Sequence, residues 1–133
     1  MIGIDTNVLV RYLAQDDPDQ TKIATAFIED NCTKDNQGFI SHITLCEMCW
    51  VLKRLYKTPR EQLTEIIEQL LRTVQLFVQE PQVIWMALEE FKIDSADFPD
   101  CLIAQINLAN YCSSTVTFDV KASNVAGFNL LSQ

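Results

Sequence analysis

At 133 residues the chain has the length of one domain, large enough to bury roughly two-thirds of the surface that its unfolded form exposes. With 48% hydrophobic and 21% charged residues it is composed like a globular protein, which excludes a disordered chain, and no apolar run approaches the roughly 20 residues that a membrane helix needs. A net charge of −8 excludes a broadly cationic surface, so a polyanionic partner would have to meet a local concentration of cations.

"MIGI" reads as a strand, followed by a short helix from residue 6 to about residue 14. No basic segment precedes the apolar start and Asp5 interrupts it, so a soluble cytoplasmic protein is expected. "DDPDQTKIATAFIEDN" opens a second helix, with Asp17 as a cap and Pro18 at its first position. "GFISHI" reads as a short strand leading into a long helix through Leu55. "TPRE", residues 58–61, has the pattern of a capping box ahead of "QLTEIIEQLLRTV". "QLFV" reads as a strand, "PQVIWMALEEFK" and "FPDCLIAQINLANYC" as helices, "STVTF" as a strand ended by Asp119, and "FNLL" as a last short strand. Strands alternating with helices predict a parallel sheet covered on both faces. The expected architecture is a single α/β/α sandwich with a central parallel sheet, one domain over residues 1–133.

Five cysteines are an odd number and argue against a disulfide framework. Cys46 and Cys49 form a C-x-x-C pair, but Cys101 and Cys112 are too far apart to supply the matching zinc pair, and His42 is the sole histidine. Their helical spacing assigns them to packing rather than to metal or redox chemistry. Cations concentrate in "KRLYKTPR", residues 53–60, where Lys53, Arg54, Lys57 and Arg60 lie without an acid. A solvated helix end is the plain alternative there, since cations also suit the dipole.

The acids divide into two kinds. Asp16, Asp17 and Asp19 flank a helix start in polar company, and Glu61, Glu65 and Glu68 line one helix face. Asp5, Glu47 and Asp119 each stand as lone charges in largely apolar stretches. Burying such a carboxylate is costly unless something compensates it. Asp5 and Asp119 follow strands, and sites in open α/β sheets form at the carboxyl ends of strands. Asp97 and Asp100 share a face near a helix start. Helix capping is the alternative for each, most strongly for Asp97. If these acids converge, two charges 4 Å apart repel by about 4 kcal/mol at an effective dielectric of about 20. A divalent cation with a preference for hard oxygen ligands, Mg²⁺ or Mn²⁺, relieves that repulsion and suits phosphoryl transfer.

"IDTNVLVRYL", "ISHITLCEMCWVLKR", "DFPDCLIAQINLANYC" and "TVTFDVKASNVAGFNLL" together resemble, in order, the motifs of PIN-domain ribonucleases. They are most similar to the toxin subunits of VapBC toxin–antitoxin pairs. The resemblance implies a metal-dependent endoribonuclease that acts on RNA, uses Mg²⁺ or Mn²⁺, is neutralised by a cognate antitoxin, and forms a homodimer. It implies catalytic roles for Asp5, Glu47, Asp100 and Asp119, with Asp5, Asp100 and Asp119 holding the metal. Asp97 matches an accessory acid, and Thr6 and Thr117 match small hydroxyl positions beside the acids. Cys101 departs from the alanine usual in the family. Arg54, Lys53 and Lys57 are then candidates for contact with RNA or a partner.

Two rival readings come from other classes. A receiver-like, Mg²⁺-binding signalling domain would place a phospho-acceptor aspartate after a central strand, where "GFISH" offers none. A non-catalytic PIN-like interaction module would not need the acids that this sequence keeps.

Overall fold

The computed structural model describes residues 1–132, and the chain divides into two units, Met1–Gln79 and Glu80–Gln133. In the first, β1 (Ile2–Gly3), β2 (Gly38–Ile40) and β3 (Leu76–Val78) pair in parallel in the order β1-β2-β3. Ile2 lies opposite Gly38, and Phe39 opposite Phe77, whose rings stack at 6.2 Å. Gly38 is required by packing. A Cβ there would come within 3.0 Å of Leu76, and within 3.1 Å of Cys32 Sγ and of Ile4.

Four helices cover these strands: α1 (Thr6–Ala14), α2 (Pro18–Asn31), α3 (His42–Leu55) and α4 (Arg60–Arg72). Helix α1 packs on both α2 and α3. Asp17 Oδ1 accepts from Gln20 N at 3.1 Å and Pro18 opens α2, as the sequence indicates. Leu63, Ile67 and Leu70 place an apolar stripe of α4 in the core, and α4 packs on β3.

Two local expectations are corrected. The strand at "GFISHI" stops at Ile40, because Ser41 Oγ accepts from Thr44 N at 3.2 Å and starts α3 at His42. The capping box at residues 58–61 does not form. Pro59 holds the cap position of α4 in extended geometry, which leaves Thr58 one residue too far out, and Thr58 N bonds Leu52 O instead.

The second unit contains α5 (Pro81–Ile93), α6 (Phe98–Ala109), β4 (Thr115–Thr117), a 3₁₀ turn (Ala122–Asn124) and β5 (Phe128–Leu130). Helices α5 and α6 pack together, with the Phe91 and Phe98 rings edge to face at 5.8 Å. Helix α6 ends before "NYC": Cys112 N returns to Asn107 O at 3.0 Å, with Tyr111 in the left-handed region. Strands β4 and β5 are parallel, Thr115 opposite Phe128. The chain therefore has the expected α/β fold of parallel sheets flanked by helices. The one central sheet expected from the sequence is found as two, of three and two strands. The strands are of two or three residues, so each ladder rests on few bonds. Among the described residues no helix is long and apolar enough to cross a membrane.

Candidate active site

Asp5 lies two residues beyond β1, at the N-cap of α1, where its Oδ1 accepts from Thr6 N at 2.8 Å. The next side chain extends the constellation. Thr6 Oγ1 donates to Glu47 Oε1 at 2.8 Å, joining the start of α1 to the middle of α3 across 41 positions of sequence. Two carboxylates are thus gathered around one threonine, beside a helix N-terminus whose dipole favours negative charge. Both acids are exposed. That corrects the expectation of a buried lone charge: the strand ends too early to bury Asp5, and Glu47 lies on the solvent face of α3.

In the second unit, Asp97 occupies the N-cap of α6 but its side chain makes no capping bond, and Asp100, half-buried, stands in the first turn. Helix capping therefore does not account for the Asp97 carboxylate. Asp119 is committed differently. Its Oδ1 accepts from Lys121 N at 2.8 Å and from Ala122 N at 3.2 Å, while its own N–H donates to Thr117 Oγ1 at 3.0 Å. The hydroxyl of Thr117 and the following turn hold this exposed carboxylate just past the end of β4. Each unit thus shows an acid at a strand or helix end with a threonine beside it. Among the described residues, no group of three or more His, Cys, Asp or Glu is gathered closely enough to hold a metal ion.

The chemistry of the first unit's donor set fits a hard divalent cation. Asp5 and Glu47 offer only carboxylate oxygens, and the bonds that Asp5 Oδ1 and Glu47 Oε1 accept leave, among the described residues, Asp5 Oδ2 and Glu47 Oε2 for a ligand. The cysteines offer no competing site. Cys46 and Cys49 lie on α3 half-buried and buried, burial pushes the Cys46 thiol pKa up, and a raised pKa works against a metal-binding thiolate.

Two features escaped the sequence reading. Arg54 and Lys57 are exposed as expected, but the Arg54 guanidinium sits 4.5 Å from the ring centroid of Trp50, which is itself 59% exposed. The four-residue spacing of an aromatic and an arginine on one helix is the signal that finds this pair. Asp16, placed above only in polar company at a helix start, is anchored by specific partners. Tyr56 donates to its Oδ2 at 2.7 Å, and Arg11 Nη1 to its Oδ1 at 2.9 Å, tying the end of α3 to the α1–α2 corner.

The Tyr56 bond is the main cause holding the Asp16 carboxyl below its ordinary range, and the same bond raises the Tyr56 phenol. A carboxylate with a depressed folded pKa stabilises above its unfolded value, about 4, and that contribution is lost as pH falls through the folded value. Tyr56→Phe is therefore expected to lower the Tm near neutrality and to flatten its fall in acid, seen by melting between about pH 2 and 6. Parallel curves for the two proteins would show that the bond does not act on Asp16.

A family model described as PIN domain matches residues 2–128. No curated protein matches the chain.

Proposed function

The chain belongs to the PIN-domain family, and on that premise we propose that it is a Mg²⁺- or Mn²⁺-dependent endoribonuclease, the toxin of a toxin–antitoxin pair. PIN domains are generally nucleases and typically bind divalent metal ions. The observation that carries the finer reading is the Asp5–Thr6–Glu47 constellation, two carboxylates held by one threonine at the start of α1, Asp5 by its backbone N–H and Glu47 by its hydroxyl. A purely structural cap would need Asp5 alone.

In this reading Asp5, Asp100 and Asp119 would act as metal ligands. When bound, the ion supplies an activated water and neutralises the charge that develops on the phosphate. Glu47, held by Thr6, orients the attacking water and accepts its proton. Thr117 holds the loop that carries Asp119. Asp97, at the cap of α6, adds negative charge near Asp100 and tightens the preference for a cation. Single-stranded or loop RNA is the proposed substrate, because unpaired segments are what proteins most readily engage in RNA. A cognate antitoxin, a homodimer and a cytoplasmic setting complete the proposal. A neighbouring small reading frame encoding a DNA-binding antitoxin would support the toxin assignment.

The test is cleavage of a labelled single-stranded RNA by the purified protein in Mg²⁺, in Mn²⁺ and in EDTA, with DNA of the same sequence alongside. Internal cuts in RNA with either cation and none in EDTA are expected. Equal cleavage in EDTA, or cleavage of DNA alone, would overturn the reading.

A further inference from the structure

Helix α3 presents a second feature on the face that carries Glu47. Ile43, Glu47, Trp50 and Arg54 follow one another at spacings of four, three and four residues, so they share one stripe. Trp50 lies roughly 5 Å and Arg54 roughly 10 Å along the axis from Glu47. Leaving so large an apolar ring exposed is unfavourable in isolation, and Arg54 stacked on it fixes its orientation.

We propose that Trp50, braced by Arg54, is a platform on which one unpaired base of the RNA stacks, setting the phosphate register at Glu47. This rests on the ribonuclease reading and adds to it a positioning residue with no role in the acid set. Three observations favour RNA as the occupant. The ring keeps an exposed aromatic surface, and stacking on it tolerates any base. The guanidinium beside the ring carries charge and in-plane N–H donors suited to a phosphate. The sequence from Lys53 to Arg60 holds four of the chain's ten basic residues, Lys53, Arg54, Lys57 and Arg60, and no acid of its own, with Asp16 reaching it through Tyr56. In a chain of net charge −8 that local reversal of sign complements a polyanion, whereas a second copy of this chain would bring the same cations to the contact.

Trp50 and Trp85 are the chain's two tryptophans, so Trp85→Phe leaves Trp50 as the sole indole reporter. That protein is titrated in Mg²⁺ with a short phosphorothioate oligoribonucleotide that resists cleavage, and the cleavable RNA is used for kinetics. Saturable quenching of Trp50 fluorescence is expected. Trp50→Ala should raise the Kd, and the KM for cleavable RNA, roughly tenfold or more, with a smaller fall in kcat. Trp50→Phe, which keeps a stacking surface, should recover most of that loss. Arg54→Gln should weaken binding and reduce the slope of log Kd against log salt by about 1. An unchanged KM and Kd in Trp50→Ala would overturn the platform and leave the nuclease reading standing. So would Trp50→Ala altering the protein's mass in solution without altering RNA binding, since the face would then be a protein interface, a use that the exposed Ile43 and Leu55 would also serve. Quenching and tight binding without cleavage by the wild type would sustain the platform and remove the nuclease reading.

Discussion

Asp5→Asn is expected to slow metal-dependent RNA cleavage by roughly a hundredfold or more, since a bound cation supplies several kcal/mol of charge stabilisation in such reactions. The fold should survive the same change. Asp5 Oδ1 accepts from Thr6 N at 2.8 Å, and an asparagine amide oxygen can take that bond equally well. What is lost is the negative charge, worth about 0.3–1 kcal/mol at a helix N-terminus. Asp5→Ala would mix the two effects by removing the cap as well, at about 1 kcal/mol. Single-turnover cleavage and a circular-dichroism melt on the same preparation separate them. Asp35→Asn is the control, an exposed acid in the α2–β2 loop. A rate equal to the wild type would take Asp5 out of the site. On the toxin proposal, expression in a host lacking any partner protein gives the cellular counterpart, with growth slowed by the wild type and not by Asp5→Asn.

The helix starts that are plain in the sequence are those where one residue enforces the geometry. Asp17 followed by Pro18 leaves α2 little choice, and Thr6 begins α1 where expected. Ends were less legible. Ser41 competes with the strand for residues 41–43 and wins through its own capping bond, and Thr58 loses its cap because the proline after it takes the position. Such outcomes turn on backbone angles that residue types only bias.

The acids show the same division. A lone aspartate in an apolar run suggested burial, but a strand of two residues cannot bury it. What singles Asp5 out is its tie, through Thr6, to Glu47 on another helix, and nothing local encodes that partner. The family resemblance brought Thr6 and Glu47 forward without indicating the bond between them. Tyr56 and Asp16 are 40 positions apart, so Asp16 looked solvated until the fold supplied its partners. Trp50 and Arg54 were within reach of a sequence reading. Attention to charge alone passed over the ring.

The central claim is that the proposed acids bind a divalent cation, and thermal melting with and without the metal tests it most directly. A ligand that binds only the folded state stabilises by RT ln(1 + [L]/Kd), about 2.7 kcal/mol at a hundredfold excess over Kd. For a chain of this size that is a rise in Tm of roughly 10 °C. The measurement is made in Mn²⁺, in Mg²⁺ and in EDTA at constant ionic strength, so that screening is not mistaken for binding. The wild type and Asp35→Asn should show the full rise. Asp5→Asn and Asp100→Asn, which each remove a proposed ligand, should each shrink it. If the rise is the same in wild type, Asp5→Asn and Asp100→Asn, these carboxylates are not metal ligands, and the proposed active site is contradicted.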